Sequence, residues 1–264
     1  MATPFLKWAG GKQALLPQLQ PYFPTRYARY MEPFVGGGGV FFGLEPAVAI
    51  LGDTNTWLMD TYWVVRERPG ALCVELDRFV NTREAYLQNR ALDPATLDPV
   101  RRAALLIYLN KTCFRGLFRM NRQGRFNVPY GDYQRPYYTP ADIQAASQAL
   151  QSASFRAGPY TWVLDEARRG DFVYLDPPYA PASETADFDR YTAQPFRAAD
   201  HVVLRDRLVE LDRRGVRWAL SGRDTPELRA LYDRYSIHSI HARREINLDA
   251  SARSETELLI LNTP

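Results

Sequence analysis

Cysteine, histidine and lysine are all scarce in this chain of 264 residues, and each shortage narrows what it can be. Two cysteines far apart, Cys73 and Cys113, exclude a disulfide framework and fit a reducing cytosol. The three histidines, His201, His238 and His241, show no Cys/His ligand spacing, so no metal site is expected. No apolar run is long enough to span a membrane and the N-terminus lacks a signal-peptide pattern, so no membrane partner is expected. Two nucleotide-binding patterns are missing as well. The dinucleotide pattern G-x-G-x-x-G fails in every frame, because Phe41 and Phe42 stand where glycine is required. The P-loop pattern fails because Gly10-Gly11-Lys12 lacks the upstream glycine and is followed by Gln13.

Lysine is rationed rather than merely rare. The chain carries a net charge of +3 almost entirely through arginine, with lysine only at Lys7, Lys12 and Lys111. Two of these lie in Lys7-Trp8-Ala9-Gly10-Gly11-Lys12, which suits a need for a compact ammonium rather than a planar guanidinium, although chance clustering gives the same pattern. Between Asn110 and Tyr138, Lys111, Arg115, Arg119, Arg122, Arg125 and Arg135 face a single acid, Asp132. Phe114, Phe118, Phe126, Tyr130, Tyr133, Tyr137 and Tyr138 interleave them. Arginine mixed with aromatics suits phosphate contact and base stacking, although a solvated basic loop has the same composition.

Strand-like runs occur at residues 29–34, 47–53, 172–176, 216–221, 235–242 and 257–262. Helical patterns at 13–22, 40–44, 55–65 and 201–213 separate several of them. This alternation predicts an α/β fold, a mostly parallel sheet with helices on both faces and a final antiparallel hairpin at one edge. Residues 67–150 break the rhythm with helical patterns at 71–89 and 100–110 and then a polar, glycine-bearing hairpin at 121–127. They read as a mainly helical insertion within a domain formed by residues 1–66 and 151–264.

The most informative segment is Val173-Tyr174-Leu175-Asp176-Pro177-Pro178-Tyr179. An apolar strand delivers a carboxylate to its C-terminal end, and two prolines keep the following carbonyls out of helix or ladder. Carboxylate, carbonyl and a stacking ring together suit the exocyclic amino group of a nucleobase. A strand that merely ends in a proline turn is the plainer reading of this segment alone. Earlier, Glu32-Pro33-Phe34-Val35-Gly36-Gly37-Gly38-Gly39 follows a short strand, and Asp53 ends the next one. Glycines there permit close backbone approach, and an acid at that place accepts hydrogen bonds from ribose hydroxyls. A nucleoside without a pyrophosphate fits, and S-adenosylmethionine (SAM) makes methyl transfer to an amino nitrogen at Asp176 the matching chemistry.

With these segments in order, the chain resembles the Dam-type DNA adenine-N6 methyltransferases. The resemblance rests on FLKWAGGK (5–12), EPFVG (32–36), GDTN (52–55), LNKTCFRGLFRMNRQGRFNVPY (109–130) and LDPPYAP (175–181), and spans nearly the whole chain. It implies a Rossmann-like SAM-dependent methyltransferase sheet and makes residues 67–150 a target-recognition domain on double-stranded DNA. Trp8, Lys12, Phe34, Gly36, Asp53 and Asp176 would contact SAM; Asp176, Pro177 and Tyr179 would hold a flipped adenine. Arg119, Asn121, Arg122, Gln123, Arg125 and Asn127 would belong to the DNA-reading hairpin, and Tyr138 to the same surface. GATC is the target this family suggests, but members that read it carry an aromatic at the place of Met120 and an apolar-Arg pair at Arg122-Gln123. A monomer on DNA is expected. An RNA or protein-amide methyltransferase, an N4-cytosine enzyme and an inactive DNA-binding module remain as alternatives. C5-cytosine chemistry is disfavoured, since neither Cys73 nor Cys113 follows a proline.

Overall fold

The computed structural model describes residues 2–121, 124–178, 196–243 and 254–263. Among them, seven strands form one sheet in the order β3-β2-β1-β4-β5-β7-β6. They are β1 (Tyr30–Glu32), β2 (Ala49–Asp53), β3 (Ala153–Ala157), β4 (Phe172–Leu175), β5 (Arg217–Arg223), β6 (Ser236–Arg243) and β7 (Ser254–Leu261). The first five pair in parallel; β7 runs antiparallel to both β5 and β6. The expected terminal hairpin is therefore present, with β6 at the edge.

Side chains alternate along each strand, so each sheet face feeds its own apolar cluster. Tyr30, Leu51, Phe172, Tyr174 and Leu259 enter one cluster; Met31, Ile50, Val173, Leu175 and Ile260 enter the other. The first is covered by α1 (Leu16–Leu19), α2 (Gly39–Leu44), α3 (Thr56–Glu67), α4 (Pro69–Leu76), α5 (Arg83–Arg90), α6 (Pro99–Thr112) and α7 (Pro140–Leu150). The second is covered by α8 (Tyr160–Glu166), α9 (Ala198–Arg213) and α10 (Pro226–Leu231).

Two patterns expected as single helices are divided. Pro17 and Pro21 break residues 12–22 into short turns, since proline lacks the N–H a helix interior needs. Residues 71–89 split into α4 and α5, where the Thr82 hydroxyl accepts from Ala85 N at 3.3 Å to start the second helix. The helical stretch 67–150 shares its core with the sheet. Leu72, Tyr86, Leu105 and Ile143 lie in the same apolar cluster as Tyr30 and Phe172. Helix α6 is buried along most of its length and is tied to α3 by Trp57 Nε1, which donates to Arg102 O at 2.9 Å.

Candidate active site

Strands β1 and β4 are neighbours, yet β1 leads through α2 to β2 on one side and β4 through α9 to β5 on the other. A crevice opens where the chain diverges in this way, beyond the carboxyl ends of the strands. The segment after β1 and Asp176 after β4 therefore meet at one place.

A turn of tight curvature follows β1. Gly36 and Gly38 take left-handed conformations at φ 47° and 72°. A Cβ on Gly36 would lie 2.6 Å from the Trp8 ring, so glycine is what lets the indole seat against this turn. Tyr62 OH donates to Gly36 O at 3.0 Å from beneath. Asp53, at the end of β2, accepts from Gly36 N at 3.1 Å and from Asn55 N at 2.9 Å. Burial raises its carboxyl above the usual range, and these backbone N–H groups pull it back. A carboxylate has acceptor sites beyond these two, so Asp53 suits a pair of ribose hydroxyls. Phe34 stacks on Tyr160 with centroids 5.2 Å apart and meets Phe196 edge-on at 5.9 Å, forming an aromatic wall beside the turn.

Lys12 is buried, with 3% exposure, and its ammonium donates to Asp176 Oδ2 at 2.8 Å and to Gly10 O at 2.8 Å. Glu257 Oε2 stands 3.6 Å away from it. Burial alone would lower the lysine pKa; Asp176, Tyr174 and Glu257 outweigh it and raise the value. Glu32 is also buried and accepts from Tyr30 OH at 2.8 Å. Burial, reinforced by Asp176 and opposed by Tyr30 and Lys12, pushes Glu32 up to about 8, so it holds its proton at neutral pH. Residues 164 apart in sequence thus form one buried ion pair at the sheet's carboxyl edge. Glu257 and the protonated Glu32 lie beside it, though neither stands out in the sequence as a site residue. Glu32 is visible only inside its motif, and Glu257 only as the acid that precedes an apolar run.

The N-terminal motif is held by Asn110, buried in α6. Its Oδ1 accepts from Lys7 N at 2.8 Å, and its Nδ2 donates to Lys7 O at 2.8 Å and Gly116 O at 3.0 Å. Trp8 then stacks on Phe118 at 5.3 Å, and Phe118 meets Phe126 edge-on at 5.8 Å. This aromatic chain joins the glycine turn to the basic hairpin. Met120 pairs with Phe126 antiparallel, Asn121 N donates to Arg125 O at 2.8 Å, and Gly124 turns at φ 70°. Arg119 Nε donates to Asn127 Oδ1 at 2.7 Å, so these two expected DNA contacts bond each other across the hairpin. Arg125 is exposed; Arg122, Gln123 and Tyr179 lie outside the described residues, as do most of the polar segments 180–196 and 246–254.

Tyr138 is placed apart from the hairpin. Its hydroxyl donates to Cys73 O at 3.1 Å and bonds the Asp77 carboxylate, beside α4. There it lines a cleft of about 270 Å³ with Lys7, Lys111 and Arg135. Burial, then repulsion from Lys7 and Arg135 against the pull of Asp142, brings Lys111 down to about 8. Cys113 Sγ donates to Leu117 O at 3.2 Å, and burial pushes the thiol up to about 12, which leaves it inert as a nucleophile. Among the described residues, no cluster of His, Cys, Asp and Glu could hold a metal ion. Among them, too, no helix is long and apolar enough to cross a membrane.

The chain is similar to known proteins over nearly its whole length. Residues 8–246 match the profile of the D12 class N6 adenine-specific DNA methyltransferases. A type II methyltransferase of Lactococcus lactis subsp. cremoris, M1.LlaDCHI, is 38% identical over 269 residues, covering 98% of this chain and 95% of the relative. A DNA adenine methylase of Escherichia coli K12 is 36% identical over 265 residues, covering 98% and 95%. A DNA adenine methylase of Vibrio cholerae is 34% identical over 266 residues, covering 98% and 96%.

Proposed function

Because the chain belongs to the D12 class of N6 adenine-specific DNA methyltransferases, we propose that its buried Lys12–Asp176 pair marks the point of methyl transfer to an adenine flipped out of duplex DNA. The observation that carries this reading is the 2.8 Å contact between Lys12 Nζ and Asp176 Oδ2 at the carboxyl end of β4, beside the glycine turn. SAM is the methyl donor, supplying the methyl on a sulfonium. The residues present fit it. Asp53 takes the ribose hydroxyls, Trp8 and Gly36 give a close-fitting wall, and Phe34 an aromatic one.

An adenine amino group is hidden inside a duplex, so the base must leave the stack at a cost of a few kcal/mol. Tyr179, next to Pro178, is the ring on which it stacks, recovering about 1–3 kcal/mol. Asp176 and the Pro177 carbonyl accept the two N6 hydrogens and aim the nitrogen lone pair at the methyl, a positioning effect. As the N–C bond forms and the S–C bond breaks, positive charge develops on N6, and the Asp176 carboxylate stabilises it. The proton leaves N6 afterwards, so Asp176 has no need to act first as a strong base.

The hairpin 119–127 reads the target and the cleft cations Lys7, Lys111 and Arg135 meet backbone phosphates. The protein works as a monomer on duplex DNA. The test is methylation of unmethylated genomic DNA with SAM, followed by modification-sensitive long-read sequencing. N6-methyladenine in one short motif is the expected result, and Asp176→Ala should abolish it while sparing DNA binding. Retained turnover in that variant overturns the role given to Asp176.

A further inference from the structure

Glu257 opens the run Leu258-Leu259-Ile260-Leu261 in β7 and is buried, with 7% exposure. A charge in such a place needs a partner. Strand β7 runs against β5 with Glu257 opposite Arg223, which carries the carboxylate to the same sheet edge as Asp176. The Lys12 ammonium therefore has Asp176 Oδ2 at 2.8 Å and Glu257 Oε2 at 3.6 Å. Among the described residues, Arg223 opposite Glu257, Glu32, protonated at neutral pH, and the phenols of Tyr174 and Tyr30 are further charged or titratable groups near this pair.

We propose that Glu257 is a positioning residue for Asp176: by sharing the Lys12 ammonium, it keeps that cation from being drawn wholly onto Asp176, whose carboxylate retains acceptor strength for the amino group being methylated. The pairing with Lys12 is through Oδ2. Without Glu257, more of the ammonium charge falls on Asp176, and its oxygens become poorer acceptors. This inference rests on the methyl-transfer role given to Asp176.

The experiment uses the full chain, SAM and a methylatable duplex oligonucleotide, with Glu257→Gln, Glu257→Asp and Asp176→Ala in parallel. Single-turnover transfer is measured against pH, alongside SAM affinity and the thermal midpoint. In Glu257→Gln the rate should fall roughly ten- to hundredfold, the scale of a misplaced reacting group, with SAM affinity changed less than about twofold. The acid limb of its pH profile should move to lower pH, because removing a like charge eases ionisation of Asp176. Glu257→Asp, which keeps the charge, should restore the limb. A wild-type rate and limb in Glu257→Gln overturns the proposal. So does a rate loss without a limb shift, or one accompanied by a midpoint drop of more than about 10 °C, since a folding role then accounts for it. Turnover in Asp176→Ala strikes the Asp176 reading itself; a dead Asp176→Ala beside an unaffected Glu257→Gln strikes this inference alone.

Discussion

Replacing Lys12 with methionine tests the buried ion pair most directly. Methionine keeps an unbranched apolar stem of similar reach and removes the ammonium that Asp176 and Glu257 share. Removing one partner of a buried pair costs about 3–5 kcal/mol, because the remaining charge is left without compensation. The side chain of Asp176 is 18% exposed and that of Glu257 9%, so water reaches the pair only in part, and the lower end, about 3 kcal/mol, applies. For a chain of this size that is a fall in thermal midpoint of about 6–12 °C at pH 8. The pH dependence gives a sharper test. The folded pKa of Lys12 lies above its usual 10.5, so its stabilising contribution is complete below 10.5 and is lost only as pH rises through the folded value. Between pH 5 and 8 the wild-type contribution is therefore constant. In the variant the attraction of the ammonium is gone, while burial still disfavours charge on the two acids. That penalty belongs to the charged acids, so it is greatest at high pH and eases as they take up protons. Thermal melts at several pH values should show the gap between wild type and variant widest at pH 8 and narrowing towards pH 5. A gap below about 2 °C at pH 8, or one that ignores pH, would refute the reasoning.

Two further expectations follow from neighbouring groups. Asn110→Ala removes three hydrogen bonds that fasten Lys7 and Gly116, at about 1 kcal/mol each. Unfolding should show a loss of about 3 kcal/mol, and SAM binding should weaken because Trp8 loses its footing; unchanged SAM affinity would detach this clip from the cofactor site. Glu32 has a folded pKa of about 8 against an ordinary 4.5. Its stabilising effect is complete below about 4.5 and lost as pH rises through about 8. Stability should thus decline from pH 5 to 9 in the wild type and decline less in Glu32→Gln. Parallel stability–pH curves would mean that Glu32 is ionised in the folded protein.

How much of this was legible beforehand depends on whether a residue's partners are local in sequence. Strands β1, β2, β4, β5, β6 and β7 announce themselves because they are apolar on both faces or close a clear hairpin. Strand β3 escapes notice because it is a polar edge strand, with Ser154 and Arg156 half-exposed, and takes its place only by pairing with β2. Helices α7 and α10 are short on apolar periodicity, yet each begins with a threonine cap followed by proline, at Thr139-Pro140 and Thr225-Pro226, a signal open to anyone who looks for it. At the site, the motifs containing Lys12, Gly36, Asp53 and Asp176 could be read singly, because each sits at a strand end or glycine turn that its own neighbours dictate. Their assembly could not, since it is made by the reversal of strand order between β1 and β4.

Tyr138 and Glu257 mark the two directions in which such reading runs out. Tyr138 belongs by sequence to the basic aromatic segment, but its hydroxyl is taken by α4, and only the fold shows that the cleft beside it holds Lys7, Lys111 and Arg135. Glu257 reads as an ordinary acid at the mouth of a strand. It becomes part of the charge balance at Asp176 only because β7 runs antiparallel between β5 and β6 and so begins at the edge where the parallel strands end. A carboxylate at that position on a parallel strand would sit at the far edge of the sheet, away from Lys12. The reversed strand is therefore what lets a single buried ammonium answer to acids from both β4 and β7.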